Sequence, residues 1–229
     1  MVFSIKLSFD NFPHKELFAV EYEWQSIARI GAYLKTRKPG KIESPLPAGV
    51  FLENPELISI GPNCIIESGA FLRGPCIIGA NCEIRNGAYI RGDVITGRSC
   101  VIGHSTEVKN SIFLDGARAA HFAYVGDSIL GGGVNLGAGV KCANFRLNQS
   151  NIIIHHGGRR VDTGTNKLGA IIGDGAQIGC NCVLNPGTVV GENSVCCPGL
   201  VVSGFVPADS FVQFPPERPR LAIIKKRGV

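Results

Sequence analysis

The run Ile78-Gly79-Ala80-Asn81-Cys82-Glu83-Ile84-Arg85-Asn86-Gly87-Ala88-Tyr89-Ile90 puts an aliphatic side chain at every sixth position and a small one, Cys82 or Ala88, four residues after it. The step extends back through Leu72, Ile66 and Ile60 and forward through Ile102, Val108 and Leu114, with Cys64, Ala70, Cys76, Cys100 and Thr106 in the small slot. It resumes at Leu136 and again at Ile172, Ile178, Leu184, Val190 and Cys196, after one five-residue slip (Val125 to Leu130) and one long excursion. A six-residue repeat of this kind predicts a parallel β-helix, each hexad forming one flat side of a triangular coil. Glycine often follows the aliphatic residue, as in Ile78-Gly79, Ile102-Gly103 and Val190-Gly191, which suits sharp corners.

The composition agrees. Thirty glycines, one Met, one Trp and only 18% charged residues in 229 argue against helical bundles and against disorder. A net charge of +5 suits an anionic small molecule and is too small to predict nucleic-acid binding. No apolar run approaches the length of a membrane span, and residues 1–10 lack the pattern of a signal peptide. The chain is therefore expected to be cytoplasmic, with its nine cysteines reduced.

The sequence divides into an N-terminal segment (1–47) with an amphipathic helix at about 14–37, a coil (48–206) with a hairpin-like excursion at 145–168, and a proline-rich basic tail (207–229). The helix is expected as a lid on the first open coil, whose strand edges need a cover. The excursion, with Ile152-Ile153-Ile154 before Gly157-Gly158, is expected to project as a hairpin over a neighbouring chain. Gly173-Asp174-Gly175 resembles a phosphate-cradling loop but is surrounded by hexads, with no helix to follow it. Cys180-Asn181-Cys182 and Cys196-Cys197 lack zinc-site spacing. Cys64, Cys82 and Cys100 should stack inward at steps of about 4.8 Å, as plain packing.

The interior of such a prism is too narrow for a ligand, so chemistry belongs on its surface or between chains. Arg73, Arg91 and Lys109, eighteen residues apart, form an outward column of like charge, which points to an anion. A second column reads Glu67, Arg85, Gly103 and His121, with a notch at the glycine beneath the histidine. His121 lies a few residues from the fault in the repeat, where function is expected, and an imidazole suits a general base. His104 and His121 have no third partner in register, so no metal is expected.

The ordered set Glu107-Val-Lys109-Asn110-Ser111, His121-Phe-Ala-Tyr124-Val-Gly126-Asp127, Val134-Asn135-Leu-Gly137-Ala138-Gly139, Asn144 and Asn166-Lys167 leading into Ile171-Ile172-Gly173-Asp174 resembles a known family. That family is the hexapeptide-repeat acyltransferases, and within it the acetyltransferase domain of the bifunctional enzyme that makes UDP-N-acetylglucosamine. Its archaeal sugar-1-phosphate branch looks closest around Asn144-Phe145-Arg146 and Arg160-Val-Asp-Thr-Gly164. The resemblance implies an all-β, single-stranded left-handed β-helix, a homotrimer, and transfer of acetyl from acetyl-CoA, as co-substrate, to the amine of glucosamine-1-phosphate. It assigns His121 as general base. Arg91, Lys109, Tyr124 and Lys167 would hold the sugar and its phosphate, with Asn135 and Asn144 as polar contacts near the amine. Ala138, Cys180 and Pro198 would contact acetyl-CoA, and backbone N–H groups near Gly137 to Gly139 would stabilise the oxyanion.

Two departures qualify the transfer of roles. A helix stands where the family carries its uridylyltransferase domain, so no nucleotidyl transfer is expected. Cys180 and Pro198 replace the serine and alanine of bacterial members, which leaves the acyl length open. The rival readings are a sugar-nucleotide acyltransferase of lipid A type and a non-catalytic hexapeptide scaffold.

Overall fold

The computed structural model describes residues 5–37, 39–156 and 159–215; the basic run at Lys225, Lys226 and Arg227 lies outside them. Three eight-stranded sheets, all parallel, close a triangular coil. Face A runs from Ile58–Ile60 to Phe205–Val206, face B from Phe51–Glu53 to Val201–Val202, and face C from Ile65–Ile66 to Phe211–Val212. The hexad aliphatics Ile60, Ile66, Leu72, Ile78, Ile84 and Ile90 fill the axis. The parallel β-solenoid expected from the repeat is thus the fold, consistent with left-handed winding.

Cys64, Cys82 and Cys100 are free thiols, each donating to a backbone carbonyl: Gly79 at 3.0 Å, Gly97 at 3.2 Å and Leu114 at 3.1 Å. Burial pushes the inward Cys76 thiol up to about 12, which suits packing and not reactivity.

The repeat carries two faults at one corner, not one. Val108 pairs with Val125 and Val125 with Cys142, each step one residue short of eighteen. Phe113, not Leu114, is therefore the inward residue, aligned with Thr96 and Leu130. Both short corners turn at left-handed residues, Asn110 (φ 43°) and Asp127 (φ 48°). Each is followed by a buried serine. Ser111 Oγ donates to Lys109 O at 2.7 Å and accepts from Ser128 N at 3.1 Å, so hydroxyls close the shortened turns.

Leu114, freed from the axis, joins a second apolar cluster on the outside of face A with Ile95, Ile112, Ile129, Ile171 and Val189. The N-terminal helix α1 (Gln25–Arg37) lies on this cluster through Ile27, Ile30 and Leu34. It is a cover for face A and not the lid expected over the first coil. That end is closed by the following segment, where Ile42 bridges to Ile60 and Glu43 N donates to Ile60 O at 2.8 Å. The hairpin strands Ile153–His156 and Arg159–Asp162 pair antiparallel. Ile152 and Ile154 bury on face A of the same chain, so the apolar edge of the hairpin is anchored at home and not on a neighbour.

The helix is also shorter than its apolar spacing suggested. Only a 3-10 turn, Lys15–Phe18, precedes it. Ser26 Oγ takes the carbonyl of Leu17 at 3.0 Å and Arg29 Nη1 that of Ala19 at 2.9 Å, so these carbonyls accept from helix side chains. The N–H groups of Glu21 and Tyr22 donate to Gln25 Oε1 at 3.1 and 3.0 Å. The Asp174 of the loop that resembled a phosphate cradle binds protein instead: its Oδ2 accepts from Ser8 N and its Oδ1 from Gly132 N, both at 2.7 Å.

His14 joins the turn to α1, its Nδ1 2.8 Å from Tyr33 Oη. Burial, and then the charge of Arg37, lower the His14 pKa to about 4. The unfolded chain therefore binds one more proton between about pH 6.5 and 4, and stability should fall as pH falls through that window, by about 3 kcal/mol in all. Denaturation curves of His14→Phe should lack this segment; curves parallel to wild type would refute it.

Candidate active site

Face B carries the charged column, and each cation has a carboxylate beside it. Arg73 Nε is 2.8 Å from Glu53, Arg91 pairs with Glu107, and Lys109 Nζ is 3.1 Å from Asp127. The column is in register as read, but it is neutralised, so like-charge repulsion no longer points to an anion.

Asp127 is the hub that sequence reasoning missed. It is 2% exposed, and it accepts from Asn110 Nδ2 at 2.7 Å, from Lys109 and from Asn144 Nδ2. Tyr124 Oη lies 3.4 Å from Asn144 Oδ1, which extends the network to a fifth side chain. Its signal in the sequence was the short Gly126-Asp127-Ser128 corner seventeen residues after Lys109-Asn110-Ser111. Leu168 N donates to Asn144 O and Gly169 N to Asp127 O, so the excursion returns at this spot. Lys167 consequently lines, with Lys109, Asp127 and Asp93, a cavity of about 420 Å³ whose other wall is Trp24 and α1. Burial raises the Asp93 pKa against the pull of Lys109 and Lys35.

His121 ends a strand of face C, Arg118–His121, at the corner leading to face B. It is aligned with His104, not with Gly103. Gly103 instead faces Ala120, whose carbonyl would sit 1.7 Å from an added Cβ, so the expected notch beneath His121 is filled by backbone. The upstream short corner, which displaces every later register by one, is the reason. His104 is tied down, its Nδ1 2.9 Å from Asn86 O, whereas the His121 side chain is exposed.

The corner ladder continues downstream. Gly139 N donates to His121 O at 3.1 Å, Asn181 N to Ala138 O at 2.8 Å, and Gly199 N to Cys180 O at 2.8 Å. His121, Ala138, Cys180 and Pro198 therefore stand on one ridge. Phe122 occupies the left-handed corner position at φ 35°, where other coils have Gly139, Asn181 or Gly199, and it is 53% exposed. A bulky residue there is strained. Its ring lies 3.2 Å from where a Gly139 Cβ would be, so that glycine gives it room. Gly137 N and Gly139 N are bonded to Ile178 O and His121 O, leaving Ala138 as the amide of that turn with no backbone acceptor. Asn135 stands apart on face C, between Arg118 and Gln177.

Comparisons with known proteins match part of the chain. The family described as the GMPPB C-terminal domain matches residues 72–158. The chain is 40% identical over 83 residues to a bifunctional sugar-1-phosphate nucleotidylyltransferase/acetyltransferase of Sulfurisphaera tokodaii, covering 36% of this chain and 21% of that protein. It is 34% identical over 125 residues to the bifunctional protein GlmU of Methanococcus maripaludis, covering 55% of this chain and 29% of that one. The chain thus spans less than a third of the length of these relatives. A solved UDP-N-acetylglucosamine acyltransferase from Francisella novicida aligns at 16% identity and a TM-score of 0.46, covering 74% of this chain and 67% of that one. The resemblance read from the ordered residues is shared by these curated relatives, and the shared part is their acetyltransferase portion. Among the described residues, no helix is long and apolar enough to cross a membrane.

Proposed function

We propose that the chain transfers acetyl from acetyl-CoA to the amine of an amino-sugar 1-phosphate of the glucosamine-1-phosphate kind, in the cytoplasm and with no resident cofactor or metal. One observation carries this reading: His121 shares a corner ridge with Ala138, Cys180 and Pro198 where face B begins, and the Tyr124–Asn144–Asp127–Lys109 network runs from that face to its other corner. The thioester would lie along the ridge and the sugar on face B. His121 takes the amine proton as the C–N bond forms, since a protonated amine has no lone pair to attack with. The C–S bond breaks, and the coenzyme leaves as a thiolate that is then protonated. Ala138 N–H is suited to donate to the carbonyl oxygen as it gains charge. Arg91, Lys109 and Lys167 serve the phosphate, Lys109 exchanging part of its pairing with Asp127 for it.

Assembly follows from which faces are free. Face A is covered by the chain's own helix and hairpin, while faces B and C expose Phe51 and Val201, and Ile65 and Phe211. A homotrimer that sets face B of one copy against face C of the next covers these and brings Asn135 of a neighbour toward the sugar. The test is coenzyme A release on mixing acetyl-CoA with a panel of amino-sugar phosphates, with light scattering on the same sample. Thiol release with an amino-sugar 1-phosphate and a mass of three chains are expected. A monomer, or no release with any acceptor, would overturn the reading.

A further inference from the structure

Five cations of the prism, Arg73, Arg85, Arg91, Arg98 and Lys109, each lie within 3.4 Å of a carboxylate. The excursion differs. Among the described residues, neither Arg146 nor Arg160 is paired with a carboxylate; Arg146 Nη1 donates only to the carbonyl of Asn151, at 3.3 Å. His155 faces Arg160 directly across the hairpin. These three side chains line one cavity of about 940 Å³, between the excursion and the corners at Asn185-Pro186-Gly187 and Ser203-Gly204, and its lining contains no Asp or Glu. Two guanidiniums gathered without counter-charge repel one another, and such a pair, with an imidazole N–H beside it, is what a multiply charged anion neutralises.

The same cavity has an apolar side. Phe145 is 41% exposed on its wall and Leu147 fully exposed at its rim, so a flat, uncharged group can lie beside the charges. Its volume lies in the range of small-molecule sites. Phe145 also bridges to Lys167, which lines the Lys109 cavity, and the two cavities share no lining residue. We propose that this hairpin cavity is a nucleotide site, with phosphate groups on Arg146 and Arg160 and the base against Phe145. It is separate from the Lys109 cavity and does not depend on acyl transfer.

Two sources share that chemistry, the adenosine bisphosphate end of coenzyme A and the uridine diphosphate of a sugar nucleotide. Calorimetric titration of the full chain with adenosine 3′,5′-bisphosphate, with UDP and with inorganic phosphate separates them. One nucleotide should bind with a Kd of about 1 mM or tighter, and inorganic phosphate at least tenfold more weakly. Arg146→Gln with Arg160→Gln should weaken the nucleotide at least tenfold, and added salt should reduce the difference. Phe145→Ala should weaken the nucleotide and leave phosphate unchanged. Arg160 is exposed on the hairpin, so Arg160→Gln alone gives the same reading if the double variant melts early. The proposal is overturned if wild type binds neither nucleotide, if the arginine variants bind as wild type does, if phosphate binds as tightly as the nucleotides, or if Lys109→Ala abolishes the binding. Because the readout is binding, its failure leaves the acyl-transfer reading to its own test.

Discussion

His121→Ala should lower turnover by about a hundredfold or more while leaving the Michaelis constant for the acceptor nearly unchanged, because a general base acts on the amine proton in the transition state and not on ground-state binding. The fold should be indifferent: the side chain is exposed at the end of its strand, and the ladder at that corner uses its backbone carbonyl. His104→Ala is the internal control. His104 occupies the same column one coil earlier, but its ring is held by Asn86 O and lies 3.3 Å from Ser105 Oγ. Steady-state kinetics of the two variants should diverge by more than an order of magnitude. Full activity in His121→Ala would remove the base from the scheme, and the scaffold reading would then be the better account of this ridge.

The largest structural effect is expected at Asp127. Replacing it with alanine strands Lys109, Asn110 and Asn144 around a buried void and puts a Cβ-bearing residue with no side-chain acceptor at φ 48°. Loss of one partner from a buried, hydrogen-bonded charge pair costs about 3 kcal/mol, a fall in Tm of about 6–12 °C for a chain of this size. Asp127→Asn keeps the shape and tolerates the left-handed backbone, so it should recover most of the Tm. It still cannot neutralise Lys109, and acceptor binding should therefore change even where melting does not. Equal Tm values for wild type and Asp127→Ala would show that the network is not a structural hub.

The two expectations rest on different kinds of legibility. His121 could be singled out from the sequence because a histidine beside a broken repeat is conspicuous, and because the ordered motifs around it resemble a family with a base at that point. Asp127 could not, since an aspartate in a Gly-Asp-Ser turn looks like ordinary corner chemistry. Its importance comes from what converges on it across coils: a lysine and an asparagine from the preceding turn and another asparagine from the following one. The anion ladder of Arg73, Arg91 and Lys109 went the other way. Its register was readable from the eighteen-residue spacing, but two of the partners that neutralise it, Glu53 and Glu107, sit twenty and sixteen residues from their cations, where the same arithmetic does not look.

By itself the sequence determined the solenoid, because a strict period of six with an aliphatic and a small residue leaves one way to bury both, and the axis residues from Ile60 to Ile90 are those the period names. It also determined that Cys64, Cys82 and Cys100 stack as inward thiols. Only the tertiary structure decided the exact register beyond Val108, since a side shortened by one residue is compensated by serine hydroxyls that no periodicity reveals. From that register came the alignment of His121 with His104 and with Ala138, and the outward turn of Leu114. The tertiary structure alone also decided where α1 lies. An amphipathic helix declares an apolar stripe but not its partner, and here the partner is the face whose outward residues, Ile95, Ile112, Leu114 and Ile129, are as apolar as its inward ones.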